Sequence, residues 1–334
     1  MRTFHLEWPE PIEGTELGDV EYELLRADWE ARRPSIDPRE VLSRRMTVLP
    51  HVIWIGGPPG CGKTTIGRWL AHRYDLQSYN ADAHTWEHHD RSLARADPAA
   101  RRWEALSQDE RWVMMEPPEM ADFSLRLNAE RFRNMVEDVR TLPREPMIVV
   151  EGTPLLPWLV EEDLADPASA VWLMPAPEFQ RTRLLERPVT TWNATSDPEV
   201  ARANRIERER LVGEAIERAA IDRRYRVLRV DETGDLEAMK RLVEDALEDV
   251  LARGVRASTP EELRAIRRSE NSTLLHQVST YLERVPAAGT RESYAVPFSC
   301  ECGSGGCDLQ PPLPVSAYER IVGAGEFLLA PEHG

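Results

Sequence analysis

The sequence predicts an α/β fold, a three-layer sandwich built on a parallel sheet. Three observations predict it. Apolar runs at 52–55 (V-I-W-I), 147–150 (M-I-V-V) and 170–174 (A-V-W-L-M) have the continuous character of strands covered on both faces. Segments with helical spacing and capping residues separate these runs, the alternation that a parallel sheet requires. A glycine-rich turn, G-P-P-G-C-G-K-T at 57–64, follows the first run and leads into a helix.

The elements follow in order. Residues 1–46 form an acidic N-terminal segment, with helices expected around 19–31 and 37–45 that Pro34 and Pro38 interrupt. The main domain is expected over 47–255. Its first strand, Val52-Ile53-Trp54-Ile55, is followed by the glycine-rich turn and a helix from Lys63 to Arg73. A short strand near 76–80 comes next, then a helical, polar insert over 84–142 that carries Trp86, Trp103 and Trp112 and breaks at Pro117-Pro118. Strands at 147–150, 170–174 and 226–230 complete the sheet, with helices at 178–186, 198–220 and 235–253. Thr259 caps a further helix running to about Arg284, which makes 256–290 a linker helix. Residues 291–334, rich in Cys, Gly and Pro, read as a separate small module.

Composition narrows the function. The chain has 334 residues, 41% hydrophobic and 30% charged, the profile of a globular protein with one large domain and accessory pieces. A formal net charge of −16 argues against a polyanionic partner, so nucleic acid is not expected. No run approaches the ~20 apolar residues of a membrane helix. The first residues lack the apolar core of a signal peptide, so a cytoplasmic location is expected.

Gly57, Gly62, Lys63 and Thr64 occupy every fixed position of G-x-x-x-x-G-K-[ST]. The glycines let successive backbone N–H groups face one concavity, and the helix that starts at Lys63 directs its positive end there. Lys63 supplies charge to the β- and γ-phosphates of a nucleotide, and the Thr64 hydroxyl is a Mg²⁺ ligand. Pro58, Pro59, Gly60, Cys61 and Thr65 complete the phosphate-binding set, with Cys61 at a variable position.

Two carboxylates stand beyond the loop. Asp82, in S-Y-N-A-D-A-H, follows the second strand, on the side of a parallel sheet where ligands bind. It either orients and deprotonates an attacking hydroxyl or caps the helix that begins at Ala83; the two roles are compatible. Glu151 ends M-I-V-V-E-G, where a carboxylate holds Mg²⁺ beside a phosphate loop or caps the next turn. Arginines follow. Arg181, Arg183 and Arg187 come after the fourth strand, and Arg202, Arg205 and Arg208 recur at three-residue spacing. They are either a lid (187–210) closing on the phosphates or a solvated face paired with Glu199, Glu207 and Glu209. Trp86, His88, His89, Trp103 and Trp112 suit an acceptor pocket for a ring-bearing or sugar-like molecule, and the aromatic residues suit a core as well. His84, His88 and His89 have no third ligand at metal spacing.

These residues resemble the small-molecule and nucleoside kinases of the P-loop superfamily, such as shikimate, gluconate and adenylate kinases and the chloramphenicol phosphotransferase and zeta-toxin group. The resemblance covers about residues 50–250. It rests on G-P-P-G-C-G-K-T-T, Asp82 one strand later, V-V-E-G and E-R-P at 186–188. It implies a P-loop NTPase sandwich with strand order 2-3-1-4-5, ATP with Mg²⁺ as donor, and a small-molecule hydroxyl or phosphate acceptor. By position, Lys63 and Thr64 carry over, Asp82 carries over as base or orienter, and Arg187 as lid arginine. The sequence departs from the family in its larger insert and in having Glu at 151 where Asp is common.

Cys300, Cys302 and Cys307 form C-x-C-x4-C. Clustered thiols in a reducing compartment point to a metal rather than a disulfide. Zinc wants four ligands in a tetrahedron, and His333 in A-P-E-H is the candidate fourth. The pattern resembles a short Cys-rich module at the ends of actinobacterial proteins. The sequence therefore predicts an ATP- and Mg²⁺-dependent phosphotransferase, with possible Zn²⁺ in the tail. The alternative is a nucleotide-dependent regulatory ATPase whose Cys-rich tail binds a protein partner.

Overall fold

The computed structural model describes residues 48–186, 195–230 and 235–333. The helices expected within 1–46, and Arg187, lie outside the described residues.

Five parallel strands form the sheet: β1 (Val52–Gly56), β2 (Gln77–Asn80), β3 (Ile148–Glu151), β4 (Ala170–Pro175) and β5 (Arg226–Val230). Their order is β2-β3-β1-β4-β5, the 2-3-1-4-5 arrangement expected from the resemblance. Side chains alternate between the faces, as strand geometry requires. Val52 and Trp54 point into one core, and Ile53 and Ile55 into the other.

The helices α1 (Lys63–Arg73) and α8 (Leu236–Arg253) cover the Ile53 face through Ile66, Leu70, Val243 and Leu247. The opposite face is covered by α4 (Pro117–Thr141) and α7 (Pro198–Asp222), through Phe132, Met135, Val212 and Ile216. Trp172 lies in this second core, stacked on Tyr225 with ring centroids 4.6 Å apart. A Cβ at Gly56 would stand 2.3 Å from the Trp172 indole nitrogen, so β1 passes this ring only because residue 56 has no side chain.

The 84–142 insert divides into α2 (Thr85–Ala94), α3 (Pro98–Ala105), a π turn (Glu110–Met114) and α4. Pro117 and Pro118 begin α4 rather than merely break the insert, because proline is tolerated in a first helical turn. The long helix of this insert is thus part of the sandwich itself. A small apolar cluster of Trp103, Trp112, Met120, Phe123 and Ala201 ties α3, the π turn and α4 to the start of α7. The span expected as a lid is described from Thr195, and from Pro198 onward it is the first half of α7.

The helix α9 (Pro260–Arg284) closes the β2 edge of the sheet. Glu270 accepts the Ser78 backbone N–H at 2.8 Å. The guanidinium of Arg267, 4% exposed, donates to the carbonyls of Ala71 and Leu76. An edge strand otherwise offers unpaired amides and carbonyls to other chains. The C-terminal half of α9 shares a core with the hairpin β6–β7 (Ala295–Pro297 and Pro312–Pro314) and with α10 (Val315–Gly323). Phe298 stacks on Tyr318 there, 4.1 Å between centroids. Buried Glu301 is held by Asn271, Tyr318 and the Leu328 amide. The Cys-rich segment therefore draws its apolar core from α9. No helix among the described residues is long and apolar enough to cross a membrane.

Candidate functional site

The register of the sheet brings the candidate residues together. Ile55 of β1 and Asn80 of β2 both lie level with Glu151 of β3, so the three strands end at one height. The loop 57–62, Asp82 and Glu151 all follow these ends. The loop and Asp82 border a cleft of about 320 Å³ lined by Gly60, Gly62, Lys63, Thr64, Asp82 and Thr153, among others, and Glu151 lies behind Thr64, from whose hydroxyl it accepts.

The loop is built by backbone that side chains disfavour. Gly57 has φ 136°, and a Cβ there would meet the Leu173 carbonyl oxygen at 2.3 Å. Gly62 adopts φ 88° as the cap of α1. Gln180 of α6 (Pro177–Glu186) steadies the loop by donating to the Pro59 carbonyl at 3.0 Å. Pro58 does the same for Lys63, whose ammonium donates to its carbonyl at 3.0 Å. Cys61 is buried with its sulfur 3.8 Å from that ammonium, and burial pushes its thiol up. Thr64 and Thr65 are exposed at the start of α1. The arrangement presents the amino end of a long helix and a lysine to the cleft, which is chemistry for an anion.

Asp82 does not cap the following turn. Asn80 does so, accepting from the amides of Asp82 and Ala83 at 2.8 and 3.2 Å. The Asp82 carboxylate is instead held through Oδ1, which accepts from the Thr153 hydroxyl at 2.7 Å, the Thr153 amide at 3.3 Å and Arg131 at 3.3 Å. Partial burial works to raise this carboxyl, but Arg131, Lys63 and Thr153 outweigh it and hold it below the ordinary carboxylate range. Arg131 is fixed in turn by Ala81, Thr85, Asn128 and Thr153. It comes from the middle of α4, and sequence reasoning missed it. Nothing in N-A-E-R-F-R distinguishes it from the other arginines of the helix.

Glu151 is 1% exposed. A Cβ at Gly67 would stand 3.0 Å from its Cγ, so α1 packs directly on it. Its Oε2 accepts from the Thr64 hydroxyl at 3.2 Å, while Oε1 is buried with no hydrogen-bond partner among the described residues. Burial, and then the charge of Asp82, push this carboxyl up to about 8. The two acids are thus driven apart, Asp82 held ionised and Glu151 holding a proton near neutrality.

A second cavity, of about 360 Å³, opens beside the cleft and shares Pro59 and Thr153 with it. Trp86, Trp103 and Trp112 line it, together with Arg131, Arg205 and Arg208. The tryptophans therefore serve both a cavity wall and a satellite core. Of the arginines expected on one helical face, Arg205 and Arg208 reach the cavity, whereas Arg202 is exposed and lines neither space. Steps of three residues fall short of the ~3.6-residue turn, so Arg202 is rotated about 120° from Arg208. Buried Glu209 pairs with Arg205 at 3.6 Å and with Arg208. Arg183 lines the cleft, paired with Glu186, and Arg181 is exposed.

At the other end of the chain, one ligand atom from each of Cys300, Cys302, Cys307 and His333 lies within 4.8 Å of the rest. His333 Nδ1 is 3.5 Å from Cys300 Sγ and 3.7 Å from Cys307 Sγ. Tetrahedral bonds of ~2.3 Å to sulfur and ~2.1 Å to nitrogen would separate such ligands by roughly 3.6 Å. The Ala330 and Ser304 amides donate to Cys300 and Cys302 sulfurs, as supporting groups around a metal do. This cluster can hold a metal ion. The His72 ring of α1 donates from Nδ1 to the Cys307 carbonyl at 2.8 Å.

The fold also gives His84 and His88 a third neighbour that the sequence did not offer, Asp138. Asp138 already accepts from Tyr79, His88 and Arg91. A guanidinium on that carboxylate opposes a further cation, and the group reads as a network joining α2 to α4. His89 stands apart, bonded to Glu104.

No protein-family model matches the sequence, and no curated protein matches it at a significant level.

Proposed function

We propose that this chain is an ATP- and Mg²⁺-dependent phosphotransferase acting on a hydroxyl of a small molecule. The observation that carries the reading is the convergence of Lys63, Thr64 and Asp82 on one cleft, with Glu151 joined to it through the Thr64 hydroxyl and a separate cavity opening onto Asp82's partner Thr153. The loop amides and Lys63 bind the nucleotide phosphates. Thr64 and Glu151 suit Mg²⁺, since the buried Oε1 of Glu151 has no hydrogen-bond partner among the described residues and a cation there would take the place of the proton that burial holds on the carboxyl. When bound there, Mg²⁺ neutralises charge on the β- and γ-phosphates.

Asp82 orients the acceptor. Its described hydrogen bonds fall on Oδ1, which leaves Oδ2 for the acceptor hydroxyl. The acceptor oxygen forms a bond to the γ-phosphorus and the bond from that phosphorus to the β-bridging oxygen breaks. The electron pair leaves with ADP, and the hydroxyl proton passes to Asp82 and then to water. Arg205, Arg208 and Arg183 are positioned to offset the charge on the moving phosphoryl group. Zinc is the metal best suited to three thiolates and an imidazole at the C-terminal cluster, where it serves structure rather than the reaction.

A screen of small-molecule alcohols with MgATP, following ADP formation, tests the reading. An acceptor-dependent signal that Asp82→Asn lowers by about 100-fold or more supports it. Phosphate release that no acceptor stimulates would assign the chain to the regulatory ATPases instead.

A further inference from the structure

The cavity beside the cleft carries information about the acceptor. Its helical walls come from five elements: Trp86 at the start of α2, Trp103 in α3, Trp112 in the π turn, Ser124 and Arg131 of α4 and the arginine-bearing face of α7. Trp103 and Trp112 meet edge to face, with centroids 5.9 Å apart and planes at 85°, which fixes both indoles. Trp86 is braced from outside by Arg284, 4.6 Å above its ring. Rigid aromatic walls of this kind favour flat ligands, because little side-chain freedom is lost on binding. Polar side chains stand among the apolar walls, and one of them is shared with the cleft. Thr153 lines both spaces and donates to Asp82, so a ligand in the cavity meets the reacting carboxylate at one end only.

Charge narrows the class further. Arg131, Arg205 and Arg208 line the cavity. Glu209 is paired with Arg205 and Arg208, and Asp82, which lines the cleft and not this cavity, holds Arg131 through Oδ1. Among the described lining residues, three guanidinium groups thus face one carboxylate, which is already paired. An ammonium group held among the indoles would find like charge and, among the described lining residues, only a carboxylate that is already paired, whereas a neutral or acidic ligand meets donors. A cavity of about 360 Å³ lies at the lower end of the ~300–1,000 Å³ typical of small-ligand sites, room for one ring system rather than an oligomer.

We propose that the acceptor is a neutral or acidic ring-bearing alcohol, a carbohydrate or a nucleoside. Its ring rests against Trp86 and the Trp103–Trp112 pair, and one hydroxyl points to Asp82. Rings that carry a cationic ammonium group are excluded. The inference rests on the phosphotransferase reading and specifies its second substrate.

Tryptophan fluorescence of the full chain, titrated with and without MgATP, provides a readout independent of turnover. One arm uses neutral monosaccharides and hexuronic acids, a second nucleosides, a third amino sugars, and a fourth linear polyols. The expected result is saturable quenching and ADP formation with at least one member of the first two arms. The matched amino sugar and linear polyol should bind at least about tenfold more weakly. Trp86→Leu should raise the acceptor KM about tenfold or more while the MgATP Kd stays within about twofold. Ser124→Leu, which fills the cavity from α4 and leaves the indoles in place, should do the same. Preference for the amino sugar, or equal binding of the linear polyols, overturns the class. So does MgATP binding with no response from any ring alcohol, and in that case the phosphotransferase reading itself survives. Failure to bind MgATP overturns both.

Discussion

The two carboxylates at the ends of β2 and β3 should leave a measurable mark on stability. Glu151 is buried beside Asp82, and its carboxyl is pushed from an ordinary value of 4.5 to about 8. The folded chain therefore holds this proton more tightly than the unfolded chain does. The stability that it confers is complete below about pH 4.5 and declines as pH rises through about 8, where the buried group must ionise. At ~1.4 kcal/mol per pH unit, the full decline is on the order of 4–5 kcal/mol, about half of it or more already lost by pH 7. Glutamine keeps the shape of the protonated acid and does not ionise. Thermal melts in EDTA across about pH 5 to 9 should show the wild type losing roughly 5–10 °C relative to Glu151→Gln. Saturating MgATP should restore the wild type at the alkaline end and help the variant far less, because the cation takes the place of the proton. Parallel melting curves across the range would refute the reasoning, since they would mean that Glu151 is ionised and solvated in the fold.

Two further outcomes follow from the same contacts. Arg131→Met removes the guanidinium that holds Asp82 down, so turnover should fall about 10- to 100-fold and the acid limb of the pH–rate profile should move upward. An unmoved acid limb would make Arg131 merely structural. Protein purified without chelator should carry about one zinc per chain, and its removal or Cys302→Ser should lower the melting temperature by several degrees. A zinc content near zero would end the metal assignment.

The parts legible in the sequence were those whose signal is local. β1, the glycine-rich loop and the start of α1 follow from thirteen consecutive residues, 52–64. Asp82 and Glu151 follow because a parallel sheet gathers what comes after its strands at one edge. The C-x-C-x4-C spacing announced the cluster at 300–307, and His333 lies only 26 residues beyond Cys307. What stayed hidden depends on long-range pairing. Arg131 reaches Asp82 across 49 residues of chain. Glu270 reaches the Ser78 amide across 192, so the 256–290 segment gave no sign in the sequence that its helix would seal the β2 edge and lend its far half to the Cys-rich segment. Arg202 departs from its expected place for a geometric reason. Three-residue spacing looks like one face in a list of residues and spirals away on a real helix.

The central claim is that the main chain before Lys63 cradles the phosphates of a nucleotide. Calorimetric titration of the full chain with MgATP, beside Lys63→Ala and a Gly57→Ala control that crowds the Leu173 carbonyl, tests it most directly. One-to-one binding by the wild type, weakened at least about tenfold in both variants, is the predicted result. Absence of heat with MgATP, ATP and MgGTP alike, from protein that melts cooperatively, would contradict it.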